Sequence, residues 1–191
     1  HSYISTITMT TQQQDKTLAQ DLSDKEIFPI VDPDGRVVGK ATRRMCHSGS
    51  RLLHPVVHLH VFDPQGRIYL QQRSRHKFIQ PGKWDTAVGG HVDYGETVEQ
   101  ALRREAGEEL GLTHFSPRPL FTYVYDSQVE RELVNAFYCT TTATSFNYDP
   151  VEVDDGRFWA IDEVKQAMGQ GVLTPNFEQE IVRVLQVLHR Q

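Results

Sequence analysis

The chain has 191 residues and a mass of 21.9 kDa, with 38% apolar and 24% charged residues. These values fit one soluble domain with an ordinary hydrophobic core, and they exclude a disordered or fibrous protein. The net charge of −5 argues against a broad basic surface for nucleic acid, and no apolar run is long enough to predict a membrane span.

The cysteines and the N-terminal segment indicate the compartment. Cys46 and Cys139 are the two cysteines, which favours a reducing environment over a secreted disulfide scaffold. Residues 1–25 are polar and lack the basic start and apolar stretch of a secretory signal. We therefore expect a cytoplasmic protein with a flexible N-terminal tail over residues 1–25, containing at most a short helix near residues 18–22. One domain is expected over residues 26–191.

The predicted elements follow in chain order. A Pro/Asp/Gly turn at residues 32–35 separates two β-rich runs and predicts a hairpin over residues 27–40. The remaining predicted strands cover residues 54–62, 67–72, 84–88, 120–125, 132–141 and 156–161. Apolar periodicity predicts helices over residues 97–110, 162–168 and 175–189. Strands outnumber helices without alternating regularly with them, so the expected class is α+β with a mixed sheet.

One predicted helix concentrates carboxylates. Thr97, with Gln100 three residues later, is typical of a capping box and sets the start of the helix. At about 100° per residue, Glu105, Glu108 and Glu109 then lie on one face, where like charges repel. A hard divalent cation with oxygen ligands, Mg²⁺ being the first candidate, would offset that repulsion. A solvated acidic face is the plainer alternative.

The spacing of this segment resembles the box of the Nudix hydrolases, G-x5-E-x7-R-E-x2-E-E-x-G. The residues in register are Gly90, Glu96, Arg104, Glu105, Glu108, Glu109 and Gly111. The resemblance implies a Nudix α/β/α sandwich with a central mixed β-sheet. It also implies Mg²⁺- or Mn²⁺-assisted cleavage of the diphosphate in a small-molecule substrate, a pyrophosphatase activity.

The same resemblance assigns roles by position. Glu105, Glu108 and Glu109 would be metal ligands and catalytic residues, and catalytic Arg104 would orient a glutamate by ion pairing. Gly90 would contact substrate and Glu96 would support the loop–helix junction. Gly95 and Gly111 would be structural residues of the motif, and Gly111 fits the C-terminal end of the helix. The base for the attacking water stays open between these glutamates and an acid of residues 149–155, although a solvated turn is the plainer reading of that loop.

Residues 26–165 also resemble the Nudix branch that includes isopentenyl-diphosphate isomerase and its hydrolase relatives. The isomerase uses three histidines and two glutamates for a second metal site, and the matching residues here are His47, His54, His91, Glu130 and Glu132. Such a donor set would suit Mn²⁺, Fe²⁺ or Zn²⁺ as a second divalent metal. In the alternative reading, His54, His58 and His60 share one strand face and line a polar cleft.

Further positions match or depart from the isomerase. The basic residues that hold its diphosphate have counterparts in Arg43, Arg73 and Lys77, and Tyr123 lies near the position of an active-site tyrosine. Gly89 stands where the isomerase has its catalytic cysteine, so that mechanism lacks a central group.

The leading hypothesis is therefore hydrolysis of a nucleoside diphosphate derivative or another organic diphosphate. The alternatives are an isomerase-like activity, disfavoured by Gly89, and a non-catalytic diphosphate sensor. Neither nucleic acid nor a membrane is expected as a partner, and a homodimer is a candidate assembly.

Overall fold

The computed structural model describes residues 10–189. Its helices are α1 (Thr11–Asp24), α2 (Arg43–Cys46), α3 (Val98–Leu110), α4 (Ile161–Ala167) and α5 (Pro175–His189). Its strands are β1 (Ile27–Val31), β2 (Val37–Thr42), β3 (Leu53–Phe62), β4 (Ile68–Arg73), β5 (Trp84–Thr86), β6 (Val88–His91), β7 (Arg118–Asp126), β8 (Arg131–Thr140) and β9 (Val153–Trp159).

A mixed sheet organises the described chain. Strands run in the order β5–β4–β3–β8–β7, while β6 pairs with β3 and β9 pairs with β4. The β3–β8 pair is parallel, and the other pairs are antiparallel. The predicted hairpin forms as β1 and β2, a separate antiparallel pair. These observations confirm the predicted α+β class with a mixed central sheet.

Helices cover both faces of the sheet. Successive side chains of the central strand β3 point to opposite faces, so each face offers apolar residues for a helix to bury. Val57 and Leu59 pack with buried residues of α3 in one core cluster. On the other face, Ile68 and Leu70 of β4 pack with Val164 of α4 and with α5 in a second cluster. This layering places the C-terminal half of α3, which carries Glu105 and Glu109, beside β6.

Several boundaries differ from those predicted. The strand predicted over residues 84–88 is two strands, β5 and β6, because β5 pairs with β4 whereas β6 pairs with β3. The sequence does not predict α2, and α1 is longer than the short helix expected near residues 18–22. Thr10 and Gln13 form a capping box at its start, and none of its residues is buried. The division at residue 25 stays a prediction, and residues 1–9 of that tail lie outside the described residues.

Two glycines of the third helical segment give a matched test of this local structure. Gly111 ends α3 with φ of 66°, in the left-handed region, whereas Gly107 lies inside the helix and a Cβ there would meet nothing within 4 Å. Gly111→Ala should lower the free energy of unfolding by about 1–2 kcal/mol because Cβ disfavours that conformation. Gly107→Ala should raise it by about 0.5–1 kcal/mol. Urea unfolding of both variants checks this, and shifts of the same sign would contradict it.

Candidate functional site

The register of α3 is fixed at its first turn. The Thr97 N–H donates to Gln100 Oε1 at 2.9 Å, and the Gln100 N–H donates to Thr97 Oγ1 at 3.1 Å, so the predicted capping box is present. Leu102 and Ala106 are buried against the sheet. Because these apolar residues fix the inward face, the carboxylates of the last two turns are held along the edge of β6.

Arg104 joins the loop, the strand and the helix. Its Nε and Nη2 donate to the two oxygens of Glu96 at 2.8 and 2.9 Å, and Nη1 donates to Glu105 Oε1 at 2.9 Å. Nη2 also donates to the carbonyl of His91 at 3.0 Å. These bonds raise the pKa of Arg104, with Glu96 as the main cause, and Arg104 in turn lowers the pKa of Glu96. The geometry matches the orienting role that the Nudix resemblance assigns to Arg104.

The three glutamates of the box have different surroundings. Glu109 Oε2 accepts a hydrogen bond from the Gly89 N–H at 3.0 Å, and burial together with the charge of Glu105 raises the pKa of Glu109 to about 8. Burial also raises the pKa of Glu105. The side chain of Glu105 crosses Gly90, where a Cβ would lie 2.2 Å from Glu105 Cδ. Glu108 is more exposed, with one oxygen 3.4 Å from Arg104 Nη1.

A divalent cation fits this donor set. Carboxylate oxygens are the ligands that Mg²⁺ prefers. Burial and mutual repulsion disfavour the charged forms of Glu105 and Glu109, and a cation would relieve both effects. Glu105, Glu108 and Glu109 are therefore the residues that would hold Mg²⁺ or Mn²⁺.

A second cluster lies where the sequence predicts another metal. Among residues 10–189, the group whose ligand atoms all lie within 4.8 Å of one another consists of His47, His54, His91 and Glu130. Glu130 Oε2 lies 2.6 Å from His47 Nε2 and 3.4 Å from His54 Nε2. The three Nε2 atoms and this oxygen are buried without a hydrogen bond of good geometry. Four convergent lone-pair donors of this type fit a transition metal.

The neighbours of this cluster support the same interpretation. Phe28 of β1 stacks on His91 with ring centroids 4.6 Å apart and planes at 3°. Burial and the charge of Arg43 lower the pKa of His91 to about 3, which keeps this imidazole neutral, the form that binds metals. Burial alone would also lower the pKa of His54, but hydrogen bonds to Cys46 and Glu130 outweigh it and raise the pKa to about 10, so a metal would have to displace a proton there. Glu132 lies outside the group, 4.0 Å from His91 Nε2, and burial and Glu130 raise its pKa to about 7.

The three predicted phosphate-binding cations have acidic partners. Arg43 Nη1 lies 3.2 Å from Glu26, and Arg73 Nη1 lies 3.7 Å from Asp85. Lys77 forms an ion pair with an acid of the loop before β9, Glu152. Asp154, at the start of β9, pairs with Arg75 at 3.3 Å. Glu152 and Asp154 thus pair with two cations of the loop that follows β4.

Sequence reasoning missed a buried carboxylate, Glu180 of α5. Its oxygens lie 2.8 Å from His58 Nδ1 and 2.5 Å from His60 Nε2, and the Tyr123 hydroxyl donates to it at 2.5 Å. Tyr123, expected near the active-site tyrosine, therefore belongs to this network. The sequence signal that could have found it is the position of Glu180 beside Ile181 in an otherwise apolar helical stripe. A carboxylate buried in such a stripe needs polar partners.

Comparison with known proteins identifies the family. Residues 52–177 match the model of the NUDIX domain. The chain is 35% identical over 156 residues to an uncharacterized Nudix hydrolase of Streptomyces coelicolor, which covers 81% of this chain and 85% of that relative. The chain belongs to the Nudix family.

Relatives of this Nudix chain include isopentenyl-diphosphate isomerases, as predicted. One from Mycolicibacterium vanbaalenii is 34% identical over 136 residues, with 68% of this chain and 75% of the relative covered. A Deinococcus radiodurans crystal structure superposes with a TM-score of 0.70 at 25% identity, covering 83% of this chain and 98% of that chain. The NUDIX domain of Shewanella oneidensis NrtR, solved with ADP ribose, shares the fold with a TM-score of 0.57 at 22% identity, over 70% and 87% of the two chains. Within residues 10–189, no helix has the length and apolar character of a membrane span.

Neighbouring glycines of the Nudix box give a matched test of the glutamate geometry. Gly90→Ala should displace Glu105, because the new Cβ would lie 2.2 Å from its Cδ, and should weaken Mg²⁺ binding by about tenfold or more. Gly89→Ala should change Mg²⁺ affinity by less than about twofold, because its Cβ meets only His58, at an ordinary 3.5 Å. Isothermal titration with MgCl₂ measures both. Equal effects would contradict the proposed placement of Glu105.

Proposed function

We propose that this Nudix protein is a Mg²⁺-dependent hydrolase that cleaves the diphosphate bond of a nucleoside diphosphate derivative or another organic diphosphate. The observation that carries the proposal is the complete glutamate set of α3, in which Arg104 holds Glu105 beside Gly90 and the Gly89 N–H holds Glu109. When bound there, Mg²⁺ would neutralise phosphate oxygens and lower the pKa of the attacking water.

Residues of the chain would position the glutamates, accept the proton of the attacking water and bind the phosphate oxygens. Arg104 holds one oxygen of Glu105, which would leave the other oxygen available to a bound metal. The Gly89 N–H does the same for Glu109. We assign the base to the glutamates of α3, because the acids of residues 149–155 have other partners. Glu152 and Asp154 are paired with Lys77 and Arg75, and Asp149 and Asp155 accept hydrogen bonds from backbone N–H groups. Arg73 and Lys77 would exchange their acidic partners, Asp85 and Glu152, for phosphate oxygens when substrate enters.

Glutamates on α3 supply the direct test of hydrolysis. Glu108→Gln should lower Mg²⁺-dependent turnover by about 100-fold or more without unfolding the protein, because a metal ligand loses its charge. Glu99→Gln is the matched control, since Glu99 lies in the first turn of the same helix and pairs at the surface with Arg103. Phosphorus NMR would follow nucleotide sugars, dinucleoside polyphosphates, nucleoside triphosphates, coenzyme A and isopentenyl diphosphate. Near-full activity of Glu108→Gln would contradict the assignment.

The second candidate function is an isomerase-like reaction on a prenyl diphosphate, and the histidine cluster is the observation that favours it. Against it, Gly89 offers no side chain to move a proton, and both cysteines, Cys46 and Cys139, are buried thiols elsewhere. A Cβ on Gly89 would make only ordinary contacts, so lack of space does not explain the absence of a side chain. Proton spectra of the same isopentenyl diphosphate samples would reveal a shifted double bond.

We propose further that the cluster of His47, His54, His91 and Glu130 binds a second divalent metal. His47→Ala should remove tightly bound Mn²⁺, Fe²⁺ or Zn²⁺, because one convergent imidazole is lost. His114→Ala, an exposed loop histidine, is the control and should retain the metal. Plasma mass spectrometry of the purified proteins measures this. Equal metal content in the two variants would remove the second site.

A further inference from the structure

In the described part of the chain, the network around Glu180 leaves two imidazole nitrogens without a hydrogen bond, Nδ1 of His60 and Nε2 of His58, and the second lies beside Gly89. Glu180 is 2% exposed, and a carboxylate so deeply buried stays ionised only when it is hydrogen-bonded and faces a positive charge. Its contacts are His58, His60 and Tyr123. The surroundings of these three partners show which of them carries the positive charge that faces Glu180.

The charge belongs on His58. His60 is completely buried, and its Nδ1 has no hydrogen-bond partner, so a proton on that nitrogen would be an unsatisfied donor. Burial and Glu180 raise the pKa of Tyr123, which keeps its hydroxyl neutral. Burial alone would lower the pKa of His58, but the charge and hydrogen bond of Glu180 outweigh it and raise the pKa to about 9.

His58 also lies beside the Nudix box. It pairs across β3 and β6 with Gly89, and a Cβ on Gly89 would lie 3.5 Å from His58 Cδ2 and 3.9 Å from its Nε2. The Gly89 N–H in turn holds Glu109. Within residues 10–189, Nδ1 of His58 is bonded to Glu180, no hydrogen bond engages Nε2, and the side chain keeps 13% exposure.

We propose that the His58 imidazolium, positioned by Glu180, donates its Nε2–H to a phosphate oxygen of the substrate. The proposal rests on the proposed function for the presence of a diphosphate. It accounts for Gly89, because a side chain at that position would cover Nε2. It also adds a cation whose hydrogen-bonded carboxylate, Glu180, engages Nδ1 and leaves Nε2 open, whereas Arg73 and Lys77 are paired with Asp85 and Glu152.

Two variants separate the phosphate contact from the buried network. His58→Asn keeps an amide donor near Glu180 but places nothing at Nε2. Affinity for methylene diphosphonate, a diphosphate that cannot be hydrolysed, should fall by about tenfold to 100-fold in titration calorimetry. His60→Gln, which alters the other imidazole on Glu180, should bind within about twofold of the unmodified chain. Equal affinities of His58→Asn and the unmodified chain would overturn the proposal.

The pH profile tests the positioning role of Glu180. Glu180→Gln removes the countercharge, so the pKa of His58 should return toward its ordinary 6.5. Diphosphonate affinity of this variant should then be weak at pH 8 and recover near pH 6, while the unmodified chain holds its affinity through pH 8. Asp85, Glu109 and Glu132 also face His58 and are unchanged in both proteins. Profiles that coincide would overturn the role of Glu180.

Nitrogen NMR provides a readout independent of binding. With ¹⁵N-labelled histidine, His58 of the unmodified chain should show two protonated ring nitrogens at pH 7.5, and a neutral ring would overturn the proposal. The outcomes also separate this inference from the proposed function. Diphosphonate binding that depends on His58, without hydrolysis of any diphosphate, would leave the inference standing and reject the hydrolase. Hydrolysis with His58→Asn unaffected would do the reverse.

Discussion

The forked ion pair of Arg104 with Glu96 is the interaction on which the site depends. It closes the loop between β6 and α3, and the same guanidinium holds one oxygen of Glu105 and the carbonyl of His91. Without the Arg104 guanidinium, the clustered carboxylates of α3 would repel one another, and the loop would lose the ion pair that attaches it to the helix. Arg104 and the Gly89 N–H hold Glu105 and Glu109 in place, so under the proposed function little reorganisation would accompany the binding of metal and substrate.

Strand β3 also organises the site, because its three histidines, two buried and one partly exposed, are paired with two carboxylates. His54 faces Glu130 in the candidate metal cluster, whereas His58 and His60 share Glu180. Alternation along the strand puts all three imidazoles on one face, and the other face packs against α3. One strand thus supports the hydrophobic core, a candidate metal site and a buried charge pair beside the Nudix box.

Local patterns predicted much of this molecule. Turn residues and apolar periodicity gave the hairpin, most strands and three helices, and the fixed spacing from Gly90 to Gly111 gave the family. Partners distant in the chain could not be read in this way. The pairing of Lys77 with Glu152 and the burial of Glu180 arise only when β9 and α5 pack against the sheet. The exclusion of Glu132 from the histidine group likewise depends on distances that spacing does not encode.

The central claim is that the glutamate face of α3 supports attack of water on a diphosphate. It is tested most directly by incubating the protein with the diphosphate panel and Mg²⁺ in H₂¹⁸O and measuring the masses of the products by mass spectrometry. The account predicts one ¹⁸O atom in a phosphate group of the product and none when Mg²⁺ is withheld. Unlabelled phosphates throughout, with isopentenyl diphosphate converted to its double-bond isomer, would contradict it.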